Sequence, residues 1–207
     1  MSRPPEIPSA RRPWRALVLG GARSGKSAYA ERLARARAAD GRALVYVATA
    51  EALDAEMAQR IARHQADRGP GWRTLERPRA LPEALAAARA DEVTLVDCLT
   101  LWLTNEMLAA GAETAAAEMA GAEMAARRAE LAAAARAAEG DVIFVSNEIG
   151  LGLVPETALG RRFRDAQGRL NQDIAAISEY VAFCAAGLPL ALKGAAPGAG
   201  DGDGGRG

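Results

Sequence analysis

The residues with the most legible chemistry are Gly20, Gly21, Ala22, Arg23, Ser24, Gly25, Lys26 and Ser27, which satisfy G-x-x-x-x-G-K-[ST] at every fixed position. Glycines let the backbone curl so that successive N–H groups converge on one centre, and a following helix adds its partial positive charge. Lys26 then reaches the β- and γ-phosphates of a nucleotide, and the Ser27 hydroxyl sits on a magnesium ion. Asp97 closes the apolar run Val93-Thr94-Leu95-Val96 and is a second candidate magnesium ligand, direct or through water. Its plainer reading is a cap for the helix beginning near Leu99.

His64 is the only histidine in the chain. With Met57 and Ile61 it falls on one helical face, which suits a core residue. Arg60, Arg63 and Arg68 lie within about one turn of it, a cluster suited to polyphosphate. An imidazole with a pKa of ~6.5 is substantially neutral near pH 7 and able to attack an α-phosphorus, forming a phosphoramidate. Arg161, Arg162, Arg164 and Arg169 form a second basic cluster. It either neutralises a transferring phosphoryl group or makes a solvated face with Glu156 and Asp165. Asp165-Ala166-Gln167-Gly168 matches the D-x-x-G string of GTPase switches, but it falls within a predicted helix and no N-K-x-D string accompanies it. We treat the match as chance.

The elements that must position these groups alternate. Ala16–Leu19 reads as a buried strand before the phosphate loop and Ala28–Arg37 as a helix after it. Further strands are expected at Ala43–Ala48, Val93–Val96, Val142–Val145, Tyr180–Ala185 and Leu188–Leu192, the last two around Gly187. Helices are expected at Asp54–Arg68, Pro82–Ala90, Leu99–Ala110, Thr114–Glu139 and Thr157–Ser178. Apolar strands alternating with helices imply a mainly parallel α/β sheet covered on both faces, with ligands at the carboxyl ends of its strands. Thr49, Asp97 and Ser146-Asn147-Glu148 all fall at such ends.

Lys plus Arg equal Asp plus Glu at 26 each, which argues against a nucleic-acid binder or a membrane-surface protein. No apolar run approaches the ~20 residues of a membrane span. Cys98 and Cys184 lie apart in apolar runs without metal-ligand spacing, as free thiols do in a reducing cytosol. A cytoplasmic enzyme is therefore expected. Residues 1–15 are expected to form a flexible arm, 16–193 one catalytic domain, and 194–207 a disordered Gly-rich tail.

Several strings now add up. The phosphate loop is followed by Tyr46-Val47-Ala48-Thr49-Ala50, Asp54-Ala55-Glu56-Met57 with His64, and Trp72-Arg73-Thr74-Leu75-Glu76. Next come Val96-Asp97-Cys98-Leu99-Thr100-Leu101-Trp102, then Ser146-Asn147-Glu148-Ile149-Gly150, Val154-Pro155 and Phe163 to Gly168 with Asn171-Gln172. Together they closely resemble the bifunctional adenosylcobinamide kinase/adenosylcobinamide-phosphate guanylyltransferase family of vitamin B12 assembly, from Ala16 to Lys193. The resemblance implies a RecA-like P-loop NTPase fold and a homotrimer with active sites near subunit boundaries. It implies phosphorylation of adenosylcobinamide by ATP or GTP, then transfer of GMP from GTP through a guanylylated histidine, giving adenosylcobinamide-GDP. His64 matches that histidine. By the same matching, Gly20 to Ser27 hold the triphosphate, and Ala48, Thr49, Ala50, Gln65, Ala66, Asp67 and Arg68 contact GTP. Glu76 and Asp97 complete the nucleotide and metal site. The two chemistries require His64 to change position relative to the phosphate loop. One departure is that the family's Arg-Pro after the histidine helix reads here as Arg68-Gly69-Pro70.

Overall fold

The computed structural model describes residues 12–51, 59, 69–111 and 117–197, with side chains from 121 onward in the last segment. A seven-stranded sheet runs in the order β3-β2-β4-β5-β1-β6-β7. Its strands are β1 (Arg15–Gly20), β2 (Ala43–Ala48), β3 (Trp72–Glu76), β4 (Glu92–Asp97), β5 (Asp141–Asn147), β6 (Tyr180–Ala185) and β7 (Leu188–Lys193). Among the described residues the helices named are α1 (Lys26–Arg37), α2 (Leu81–Ala86), α3 (Leu99–Ala109), α4 (Ala117–Ala137) and α5 (Ala158–Ile177). Every pairing is parallel except β6 with β7. That pair turns through Ala186 and Gly187, both at positive φ (52° and 80°), the geometry of a tight hairpin turn.

Alternate residues of the central strands face opposite layers, and both layers are apolar. Leu17, Leu19, Val142 and Phe144 point toward a core with α2, α3, α4 and α5. Ala16, Val18, Ile143 and Val145 point toward Tyr29, Ala30, Leu33 and Ala34 of α1. Two-sided burial explains why these strands read as continuous apolar runs. One strand, β5, separates the phosphate-loop strand β1 from the Asp97 strand β4. The sequence reading did not anticipate β3. Its residues are half-buried or exposed at the sheet edge, so neither a buried run nor a clean alternation marks it. The helix expected to reach Ala90 ends at Ala86.

Two buried charges tie β1 and β5 to the helices around them. The Arg15 guanidinium donates to the carbonyls of Ala135 (2.6 Å), Arg136 (3.2 Å), Ala138 and Gly140 (3.3 Å), closing the end of α4 with a cation where the helix dipole is negative. Asp141, 1% exposed, accepts from Trp14 N at 2.8 Å and Arg37 Nε at 2.7 Å, and pairs with Arg42 Nη1 at 2.9 Å. Burial pushes its pKa up, but the hydrogen bonds from Arg37 and Trp14 and the two guanidinium charges outweigh that, and the net displacement is downward. A carboxylate held below its ordinary ~3.9 stabilises the fold fully above that pH, and the contribution is lost as pH falls through the folded value. Asp141→Ala is therefore expected to cost about 3–5 kcal/mol near pH 7. In urea unfolding, the gap from wild type should shrink below about pH 4.

Candidate functional site

Glycine geometry builds the loop between β1 and α1. Gly25 precedes the first residue of α1 at φ 88°, and Arg23 also lies in the left-handed region at φ 55°. A side chain on Gly25 would be strained by its φ, and its Cβ would lie 3.0 Å from Gly187 Cα. A Cβ on Gly20 would meet Ser24 Oγ at 2.4 Å and the Cys184 carbonyl at 2.6 Å. The loop is thus packed from below by the β6–β7 turn, and Gly187 N donates to Ser24 O at 2.9 Å. Gly20→Ala is expected to cost about 1–3 kcal/mol by overpacking and to weaken nucleotide binding about tenfold. Thermal melts and nucleotide titration check both.

Lys26 folds over its own loop, its Nζ donating to Gly21 O at 3.1 Å. Ser27 follows it in the first turn of α1. The charges of Lys26 and Asp97 both reach Cys98. Burial pushes that thiol up to about 11, Asp97 adds to the rise, and Lys26 partly offsets it. The lysine and the carboxylate therefore act on one neighbourhood, at the carboxyl edge of the sheet.

Asp97 ends β4 opposite Ala48, and Ala48 is in turn opposite Glu76 at the end of β3. The Tyr46 hydroxyl donates to Asp97 Oδ2 at 3.1 Å, the one side-chain hydrogen bond to that carboxylate among the described residues. Glu76 is exposed at the same edge. Thr49 is fully buried, and its hydroxyl accepts from Cys98 N at 2.8 Å and donates to Cys98 O at 2.7 Å. Asn105 from α3 donates to Thr49 O at 2.9 Å and Pro78 O at 3.0 Å, clamping the turns after β2 and β3. The Thr49 side chain is thus committed to holding Asp97's neighbour. Cys98 begins α3 as its cap residue, without a side-chain cap bond, so Asp97 itself does not serve as that cap.

Sequence reasoning did not find the polar network under the end of β5. Ser146 Oγ donates to Asn171 Oδ1 at 2.7 Å, and Gln167 Nε2 reaches Ser146 Oγ at 2.9 Å. Asn171 Nδ2 holds Asn147 O at 3.1 Å, and Thr100 Oγ1 accepts from Asn147 N at 2.9 Å. The only sequence signal was a cluster of amide and hydroxyl residues at a strand end and on the helix after it. In the second basic cluster, Arg161 is committed to the carbonyls of Pro155 and Glu156, and Arg164 lies 3.8 Å from Asp165. Arg162 and Arg169 line a cavity of about 210 Å³ with Arg128 and Asp165. Asp165 to Gly168 lie inside α5, as expected of a chance match. His64, Gln65, Ala66, Asp67, Arg68, Arg60 and Arg63 lie outside the described residues, as do most of residues 1–15 and 194–207.

Magnesium is the metal this donor set suits. Ser27 and Asp97 offer hard oxygens, and Mg²⁺ is commonly held by one or two carboxylates together with phosphate oxygens and water. Among the described residues no group of three His, Cys, Asp or Glu side chains could form a closed protein cage, which a nucleotide-borne ion does not need. No helix among the described residues is long and apolar enough to cross a membrane.

A mainly parallel sheet, a glycine-built anion nest at its carboxyl edge and an acid on a strand close by together define a P-loop protein of the phosphoryl-transfer class. Residues 16–192 match the profile of the family described as cobinamide kinase / cobinamide phosphate guanyltransferase, and the chain belongs to that family. It is 49% identical over 181 residues to the bifunctional adenosylcobalamin biosynthesis protein CobP of Pseudomonas aeruginosa, covering 87% of this chain and 98% of that protein. It is 39% identical over 182 residues to the bifunctional adenosylcobalamin biosynthesis protein CobU of Escherichia coli, covering 86% and 98%. Among solved structures, a KaiC-like protein from the archaeon Pyrococcus horikoshii aligns with a TM-score of 0.42 at 10% identity, over 82% of this chain and 70% of that one.

Proposed function

We propose that this chain phosphorylates adenosylcobinamide with ATP or GTP and then transfers GMP from GTP to adenosylcobinamide phosphate through His64, yielding adenosylcobinamide-GDP. One observation carries the reading: the phosphate nest and Asp97 share one edge of the sheet, in a chain whose family is named for both activities.

In the first step the substrate's aminopropanol hydroxyl oxygen bonds the γ-phosphorus. The bond from that phosphorus to the β–γ bridging oxygen breaks, the hydroxyl proton is lost to water, and a nucleoside diphosphate leaves. The nest N–H groups and Lys26 hold the triphosphate. For Lys26 this means exchanging the neutral Gly21 carbonyl for charged phosphate oxygens, which are stronger acceptors. Ser27 and Asp97 would hold magnesium, which neutralises phosphate charge when bound. In the second step a neutral His64 nitrogen bonds the α-phosphorus of GTP and pyrophosphate departs. An oxygen of adenosylcobinamide phosphate then displaces the imidazole, which returns to its neutral form. Ala48, Thr49, Ala50 and Glu76, with Gln65 to Arg68, complete the GTP site, Thr49 through its main chain.

We further assign residues 16–193 as one catalytic domain, acting in the cytoplasm as a homotrimer, on the strength of the family resemblance. The test is direct: the purified chain given ATP and adenosylcobinamide should yield the corrinoid phosphate by chromatography. A rival P-loop kinase for another small alcohol predicts no corrinoid product and a His64 that never carries GMP.

A further inference from the structure

The loop from β5 to α5 carries large apolar side chains in water. Leu151 is 81% exposed, Leu153 95% and Val154 64%. Scattered surface leucines need no explanation, but three such residues within four positions, in a loop that leaves the carboxyl edge of the sheet, do. The loop is tethered at both ends. Glu148 N donates to Gly20 O at 3.2 Å, and Gly150 N to Glu148 Oε1 at 2.5 Å. On the far side Arg161 Nη1 holds the carbonyls of Pro155 (3.0 Å) and Glu156 (2.8 Å), and Thr157 caps α5 through Gly160 N at 3.0 Å.

Strand order then places the loop. β5 lies between β1, which leads into the Lys26 nest, and β4, which ends in Asp97. The chain leaving β5 therefore starts between the nest strand and the Asp97 strand, at the carboxyl edge where ligands of such sheets bind. A triphosphate offers that loop only charged oxygens. Its apolar residues match an acceptor with aliphatic surface, and a corrin ring presents methyl and methylene groups between its peripheral amide arms.

We propose that Leu151, Leu153 and Val154 form the apolar wall of the acceptor site, holding the corrin periphery while its hydroxyl-bearing arm reaches the nest. The assignment rests on the function proposed above. A small alcohol would have no use for such a wall.

The test uses full-length Leu153→Ser and the double variant Leu151→Ser/Leu153→Ser, folded integrity being checked by thermal melting. Adenosylcobinamide binding is read by equilibrium dialysis and visible absorbance, beside steady-state KM values. The double variant should raise both Kd and KM for the corrinoid about tenfold or more, with the KM for ATP within about twofold. An unchanged corrinoid Kd in the double variant, where wild type binds and phosphorylates the corrinoid, overturns the wall and leaves the function standing. The same unchanged Kd with a lower sedimentation coefficient also overturns it, making the loop a contact between copies of the chain. Wild type that neither binds nor phosphorylates corrinoid removes the functional reading itself.

Discussion

Lys26→Ala is expected to lower adenosylcobinamide phosphorylation on the order of 10³-fold, the size of effect seen when one preorganised charge-stabilising donor is removed from a reaction site. The reasoning is geometric. Lys26 opens α1 immediately after Gly25, and its ammonium already turns back over the loop to Gly21 O at 3.1 Å. The group is therefore positioned over the nest before any ligand arrives, and its contribution to rate comes from the charge that develops on the phosphate oxygens in the transition state. Lys26→Arg is not a conservative rescue, because a planar fork replaces a compact point charge in a loop already packed against Gly187. Quenched assays of corrinoid phosphate at saturating ATP check the loss. Retention of wild-type rate in Lys26→Ala would remove the assigned role.

The second large effect is a split between the two activities. His64→Ala is expected to abolish guanylyl transfer, while corrinoid phosphorylation persists at the wild-type order of magnitude. A nucleophile that forms a covalent intermediate cannot be replaced by a methyl group, whereas the γ-phosphoryl step asks nothing of the imidazole. His64→Asn keeps a polar group of similar reach and should fail equally, since an amide nitrogen is not nucleophilic. Chromatography of the corrinoid products, phosphate against GDP derivative, reads both activities in one experiment. Loss of both together would make His64 structural.

The first prediction draws on features that are local in sequence, which is why they were legible there, whereas the second rests on the family resemblance that singles out His64. The eight residues from Gly20 to Ser27 encode their own turn, and the flanking apolar run and helix former are contiguous with them. Asp97 was legible as the end of an apolar run, and the order of strands then put one strand between it and the nest. What stayed hidden depends on partners distant in the chain. Nothing near Tyr46 announces that its hydroxyl rests on Asp97, 51 residues later. Thr49 reads as a polar residue at a strand end, a natural ligand contact, yet its hydroxyl is spent on both main-chain groups of Cys98. Gln167 sat inside a string set aside as chance, and it is the fully buried amide that joins α5 to Ser146. The edge strand β3 escaped because a half-exposed edge needs little apolar patterning to pair.

The apolar loop after β5 illustrates the same division from the other side. Nothing in the sequence says where the side chains of Leu151, Leu153 and Val154 lie, and their exposure in the loop that Glu148 ties to Gly20 gives them a meaning.

The measurement that bears most directly on the central claim is a pulse and chase with GTP labelled at the α-phosphorus. Wild-type chain should take up one acid-labile, base-stable label and surrender it as corrinoid-bound GMP when adenosylcobinamide phosphate is added. A chain that forms adenosylcobinamide-GDP at full rate without ever carrying the label, or that keeps the label through the chase, would contradict a histidine-borne GMP as the link between the phosphate nest and the corrinoid.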